Sequence, residues 1–303
     1  MRRLALRIAA FVLSCGSALL VAAGPNSEQA KKIAEIEGRL EGRVEYDEDS
    51  PDKPVISINL TSSSKVTDAW LAGITGFGEL RVLWLGDTNI TDAGLPHLKG
   101  LTKLQDLDLG ITRVTDDALV NLRGLARLEK LDLQDTGVTD SGLANLEGLK
   151  RLSELQLGHT MVTNAGLAKL KALPRLHSLD LNYTEVTDSG IPFLGRLKEL
   201  QDLCILGTAI TDEGAEKLHQ MLPTCEIHRN ADLNASLFRV PKGKTPTRSA
   251  PEASKSHKPG ASFRLLNPPP RNTRPSFSDR AEPSSLSSVA LPLCPKAQLV
   301  YRS

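Results

Sequence analysis

LARLEKLDLQDTGVTDSGLANLEG, residues 125–148, reads in two ways. Its Asp135-Thr136-Gly137 is the tripeptide that carries the catalytic carboxylate of pepsin-like aspartic proteases, which need two such carboxylates about 3 Å apart sharing one proton. The near match elsewhere, Asp87-Thr88-Asn89, has Asn where the turn needs the freedom of glycine. The stretch also recurs every 24 residues: FGELRVLWLGDTNITDAGLPHLKG from Phe77, LTKLQDLDLGITRVTDDALVNLRG from Leu101, LKRLSELQLGHTMVTNAGLAKLKA from Leu149, LPRLHSLDLNYTEVTDSGIPFLGR from Leu173 and LKELQDLCILGTAITDEGAEKLHQ from Leu197. In this register Thr136 stands in an unbroken column with Thr88, Thr112, Thr160, Thr184 and Thr208, whereas Asp135 shares its column with Asp87, Ile111, His159, Tyr183 and Gly207. A column that accepts Ile, His, Tyr and Gly is a surface position, so the tripeptide is punctuation in a repeat rather than chemistry.

Each unit has the same internal logic. L-x-x-L-x-L, as in residues 104–109, alternates like a strand with one face buried. Beyond the Thr column comes Val or Ile and then Thr-Asp. Thr115 is expected to cap a helix with its hydroxyl, and Asp116 to set a negative charge against the positive end of the helix dipole. Leu119 and Leu122, three apart, turn that helix inward. One such unit cannot bury its apolar face alone, but a stack can. Upstream, PVISINLTSSSKVTDAWLAGITG from Pro54 is an atypical first unit, with one extra residue between Leu60 and Val66 and Trp70 where later units have Gly or Ala. Before it, SEQAKKIAEIEGRLEG from Ser27 puts Ile33, Ile36 and Leu40 on one helical face, and RVEY from Arg43 alternates as a short strand; together they predict a cap over the open end of the core. Downstream, MLPTCEIHR from Met221 is a truncated strand with Cys225 in the place that Leu176 holds in its unit.

The 24-residue L-x-x-L-x-L period followed by a short helix resembles the leucine-rich repeat. The variant T-x-V-T-D-x-G-L, the helical preface into P-V-I-S-I-N-L and the closing L-P-x-C-x-I resemble secreted leucine-rich-repeat proteins common in Planctomycetes. The units are also similar to the cysteine-containing repeats of F-box proteins, with Thr in the cysteine's place and no F-box in view. The resemblance covers about residues 27–229. It implies an α/β solenoid of about seven repeats behind a helical N-terminal cap, with parallel strands on the concave side and short helices on the convex side. For function it implies binding, since the family has no shared catalytic residues to carry over.

The two ends are of different material. MRRLALRIAAFVLSCGSALLVAAG has Arg2, Arg3 and Arg7, an apolar run from Ile8, and Val21-Ala22-Ala23 before Gly24, the pattern of a secretory signal peptide. Val12-Leu13-Ser14-Cys15 leaves a lipoprotein site as an alternative, although apolar sequence continues past Cys15. The run from 8 to 23 is short of the ~20 residues that a membrane span needs. From Arg239 the chain is rich in Pro, Ser, Lys and Arg without periodicity, which predicts disorder. The expected organisation is a signal peptide at 1–23, an N-terminal cap at 24–52, repeats at 53–220, a C-terminal cap strand at 221–233 and a disordered basic tail at 234–303. Residues 239–303 hold 12 Lys and Arg against 3 Asp and Glu, while 24–238 hold 22 against 33, so a net charge of +1 conceals an acidic solenoid joined to a basic tail. That tail is a candidate tether to anionic polymer or a pseudo-ligand of its own solenoid.

If cleavage follows Ala23, Cys204, Cys225 and Cys294 remain, too few for a disulfide framework. Cys225 is expected to pack as a small hydrophobe and Cys204 to face outward, which disfavours a bond between them. The histidines 97, 159, 177, 219, 228 and 257 show no H-x-x-x-H or paired-Cys spacing, so no metal and no cofactor is expected. Sequons at Asn59, Asn89, Asn182 and Asn234 matter only in a eukaryotic secretory route.

Function in a solenoid lies in the outward positions of the strands. The residue between the last two leucines gives the column Asn59, Trp84, Asp108, Asp132, Gln156, Asp180 and Cys204; two residues earlier the column is Ser57, Val82, Asp106, Lys130, Glu154, Ser178 and Asp202. Lys130 between Asp106 and Glu154 forms a cross-strand charge ladder. Asp108 beside Asp132 repels across ~4.8 Å, by on the order of 1 kcal/mol even in water. A solvated face tolerates that, with wide exposure and little change in acidity, and a cationic ligand would relieve it. Trp84 is the residue most like an interaction anchor. The expectation is a secreted or periplasmic, monomeric binding module without enzymatic activity. Its concave face, Trp84, Asp106, Asp108, Lys130, Asp132, Glu154, Gln156, Asp180 and Asp202, takes a protein or peptide of basic character and not nucleic acid. A structural envelope protein and a hydrolase built on the same carboxylates are the competing classes.

Overall fold

The structure is a computed structural model and describes residues 27–229. The expected signal peptide and disordered basic tail lie outside the described residues. Nine strands form one sheet in chain order: β1 (Arg43–Tyr46), β2 (Val55–Asn59), β3 (Val82–Trp84), β4 (Asp106–Asp108), β5 (Lys130–Asp132), β6 (Glu154–Gln156), β7 (Ser178–Asp180), β8 (Asp202–Cys204) and β9 (Glu226–His228). β1 is antiparallel to β2, and every later neighbour is parallel, with equivalent residues of successive repeats in register. The returning segments carry short helices or 3-10 turns such as Asp140–Leu143 and Ala144–Leu146. The molecule is therefore the α/β solenoid that the period implies, with helix α1 (Ser27–Gly38) ahead of its first strands.

The leucines of the strand motif, the Val or Ile column and the convex leucines fuse into one continuous core. Leu104, Leu107, Leu109, Val114, Leu119 and Leu122 are all fully buried, and Ile33, Ile36 and Leu40 close the N-terminal end. Lys32 of α1 lies over the Trp70 ring, 4.5 Å from its centroid. Cys225 is buried, as its leucine-equivalent position requires.

Polar groups fix the turns between these apolar positions. The hydroxyls of the Thr column donate to the carbonyl three residues back: Thr112 to Leu109 at 2.5 Å, Thr136 to Leu133 at 2.6 Å and Thr184 to Leu181 at 2.6 Å. The column is unbroken because each buried turn needs that one small donor. The next residue back, the Asp135 column, is where the backbone takes a left-handed turn: Asp87, Ile111, Asp135, His159 and Tyr183 have φ between 52° and 56°, and Gly207 has 68°. Side chains there project from the surface, and the His159 and Tyr183 rings stack with centroids 4.4 Å apart. A β-branched residue such as Ile111 at positive φ is a strained choice, which a reading based on side-chain tolerance alone does not reveal.

The Thr-Asp pairs differ from expectation in an informative way. Thr139, Thr163 and Thr187 do accept an N–H two residues on, as caps. Thr115 does not: its hydroxyl donates to Asp92 of the preceding repeat at 2.6 Å, and its N–H to the other Asp92 oxygen at 2.7 Å. The same two-pronged bond joins Asp68 to Thr91, Asp116 to Thr139, Asp140 to Thr163 and Asp188 to Thr211. Each Asp is a clamp between repeats as well as a helix-start charge. The clamp explains the glycine two residues beyond it in the next unit: a Cβ on Gly142 would stand 2.3 Å from the Asp116 Oδ1. Trp70 occupies the equivalent position in the first unit, where no earlier repeat supplies an Asp. Gly142→Ala should therefore cost about 1–3 kcal/mol, the range for overpacking, and should lower the urea midpoint without changing the slope of the transition.

Candidate functional site

All nine residues singled out from the sequence fall on the concave face, in the two expected columns. The register pairs Trp84 with Asp108, Asp108 with Asp132, Asp132 with Gln156 and Gln156 with Asp180. The second column pairs Asp106 with Lys130 and Lys130 with Glu154. Lys130 Nζ lies 2.9 Å from Glu154. Asp106 is engaged from the other side, accepting the Trp84 indole N–H at 3.2 Å. The charge ladder is thus one ion pair, and Trp84, half-buried, is anchored by its polar edge.

The acidic column has a structural task that the sequence reading did not see. Asp108 Oδ1 accepts the N–H of Gly110 at 2.8 Å, Asp132 Oδ1 that of Gln134 at 2.8 Å, and Asp180 Oδ1 that of Asn182 at 2.7 Å. Asn59 does the same for Thr61 at 3.0 Å. Each is an Asx turn that carries the chain out of its strand toward the left-handed residue. The signal was present as Asp or Asn at four of the column's positions, each three residues ahead of a positive-φ residue. Close approach of the carboxyl also accounts for Gly86, where a Cβ would lie 2.5 Å from Asp108 Oδ2.

A solvated face with unshifted acids is not what the structure shows. Asp108, Asp180 and Asp202 are 8%, 3% and 2% exposed, and Asp132 is half-buried. Desolvation raises the Asp108 pKa to about 6 and that of Asp180 to about 6, and the hydrogen bonds to backbone N–H groups only partly offset it. Asp132 goes to about 8, by desolvation first and by the charge of Asp108 second. Asp106 is also raised, again by burial, with the Trp84 bond and Lys130 pulling the other way. The correction has one physical cause: acids held down against the backbone by their turn bonds lose water that a freely extended side chain would keep.

Asp108 and Asp132 therefore form a pair of the kind that retains a proton near neutrality. Structural networks perturb carboxyls as catalytic sites do, and here one oxygen of each is tied to a turn amide. The grooves around Gln29, Tyr46 and Phe77, around Lys31 and Thr75, and around His219 and Ile227 contain neither residue. Asp135 and Asp87, the two members of the protease-like motif, lie on the surface ridge two repeats apart, roughly 10 Å by strand spacing, and do not make a dyad.

At the C-terminal end the face adds a residue that linear spacing overlooks. His228 pairs in register with Cys204, and its Nε2 lies 3.1 Å from Asp202 Oδ1. Searching for histidine motifs along the chain misses a partner brought in by the adjacent strand. Cys204 keeps its place in the outward column but is 1% exposed and disulfide-bonded. Cys225 is not its partner, in keeping with their opposed faces.

A family model described as a leucine-rich repeat matches residues 127–146, within the unit that carries the Asp135 motif. The fold is a leucine-rich-repeat solenoid. Among solved structures, an internalin C2 from Listeria monocytogenes is similar at 20% identity and a TM-score of 0.44, over 68% of this chain and 94% of that one. No curated protein matches the chain.

The raised carboxyls give a signed prediction. Each is protonated in the folded chain at pH values where its unfolded counterpart, near 3.8, has already ionised. Their contribution to stability is full below about pH 4 and is lost as pH rises through about 6 for Asp108 and Asp180 and about 8 for Asp132. Asp132→Asn keeps the Oδ1 acceptor and removes the proton. Urea midpoints should fall less between about pH 6 and about pH 8 in that variant than in the parent chain; parallel curves would show Asp132 to ionise normally.

Proposed function

We propose that this chain is a non-catalytic binding module whose concave face takes a protein or peptide of basic character, in the cell envelope or outside the cell. Solenoids of this class present one extended surface, and its outward columns are where partners are read. The observation that carries the reading is Asp108 beside Asp132: among the described residues no Lys or Arg pairs with either, and their mutual repulsion is relieved only by a proton or by a cation from outside. Trp84, held beside them through Asp106, supplies the apolar contact area of an interface anchor.

A partner's Arg or Lys would replace the retained proton, so binding should tighten as the pair loses it. An Arg-rich peptide titrated into Trp70→Phe protein, followed by Trp84 fluorescence, should saturate, bind about tenfold more tightly at pH 8.5 than at pH 6, and weaken in high salt. Replacing Asp108 and Asp132 together by Asn should remove the pH dependence. Saturation that ignores pH and both substitutions would place the binding surface elsewhere.

The envelope location rests on the N-terminal sequence pattern. Protein exported by its own host should begin at Gly24 on N-terminal sequencing. Retained Met1 would overturn the location, and a lipidated Cys15 would replace soluble export by a lipid anchor.

A further inference from the structure

We propose that Asp202, Cys204 and His228 form a zinc site that becomes available when the Cys204 disulfide is reduced. Asp202 and Cys204 flank Leu203 on β8, so with Leu203 in the core both present their side chains to the concave face. His228 on β9 is the register partner of Cys204. One carboxylate oxygen of Asp202, the sulfur of Cys204 and a ring nitrogen of His228 all lie within 4.8 Å of one another. A tetrahedral zinc ion with bonds of 2.0–2.3 Å separates its ligands by about 3.4–3.8 Å, so the three atoms need only draw together slightly. The Asp202 to His228 contact, at 3.1 Å, is a few tenths of an ångström shorter than that range, so this pair would open slightly as the sulfur moves in.

The donor set selects the metal. Sulfur, nitrogen and oxygen together suit zinc, whereas calcium and magnesium take oxygen alone. Three protein donors leave one coordination position over. The surroundings favour a dication: Asp180 stands next to Cys204 in the column, and Glu226 lies 3.9 Å from the His228 ring nitrogen. Two of the three donors sit on a single strand whose backbone is bonded on both sides, which fixes their separation before any metal arrives.

In the oxidised protein the sulfur belongs to a disulfide and is not a ligand. A dithiol reduces that bond by thiol–disulfide exchange: its two thiols become a disulfide, and the two protein sulfurs leave as thiols. Zinc then takes Cys204 as the thiolate, and the thiol proton passes to solvent. The oxidised and metal-bound forms are thus alternative states of one sulfur. This site stands independently of the peptide-binding reading.

The test uses the full chain, oxidised or reduced with dithiothreitol and freed of reductant without air, with cobalt(II) as a spectroscopic stand-in for zinc. The reduced chain should bind one cobalt with a thiolate-to-metal charge-transfer band and tetrahedral visible bands, both erased by one equivalent of zinc; the oxidised chain should show neither. Cys204→Ser should abolish the charge-transfer band, and Asp202→Asn and His228→Ala should each weaken binding about tenfold or more, as loss of a ligand does. Cys225→Ser should leave the spectrum unchanged. Circular dichroism on each variant separates loss of a ligand from loss of the fold, and the near-isosteric Asp202→Asn remains informative if His228→Ala unfolds. No band in the reduced chain, or a band that survives Cys204→Ser, overturns the site.

Discussion

The carboxyl that opens each convex segment and grips the threonine of the next repeat sets the geometry of this molecule. Hydrophobic burial supplies the drive to stack, but burial is non-directional and tolerates sliding. The clamp does not: one oxygen must meet an N–H and the other an O–H of the residue 23 positions on, as in Asp140 and Thr163. That requirement pins the translation between repeats on the convex side just as the strand ladder pins it on the concave side. The rest follows sterically, down to Gly166 and Gly214, whose added Cβ atoms would lie 2.3 and 2.1 Å from the clamping oxygens.

The concave face obeys the same economy. Asp108, Asp132 and Asp180 were set apart as surface charges awaiting a ligand, and they prove also to hold the exits from their strands. Fold and the proposed recognition would therefore draw on the same atoms. A substitution chosen to weaken binding at these positions alters the turn as well unless the acceptor oxygen is retained, which is why asparagine rather than alanine separates the two roles.

Much of this was legible in the sequence because a repeat reports each position several times. The 24-residue period, the alternation around Leu107 and the outward columns all transferred directly to strands and register. What did not transfer were relations between repeats and torsions within them. Asp92 acting on Thr115 is invisible to a reading that looks for caps within one unit. The left-handed turn hides behind a column containing Ile111 and Tyr183, because glycine, its usual sign, appears only at Gly207. His228 was discounted for want of a neighbour in sequence, when its neighbours come from β8. Burial of the acids was missed because outward direction was equated with contact with water.

One clamp differs from the others. Where five of the six links use Asp, the fifth in chain order uses Asn164, whose Oδ1 accepts the Thr187 N–H at 3.0 Å while its Nδ2 donates to the Thr187 hydroxyl at 2.8 Å. The direction of the side-chain bond is reversed, and a neutral pair, roughly half as strong, replaces a charge-assisted one. Under load the joints of this rod are therefore unequal. A pull along the solenoid axis finds its weakest convex fastening between the Asn164 and Thr187 segments, so the rod has a built-in seam that divides four clamped joints on one side from one on the other.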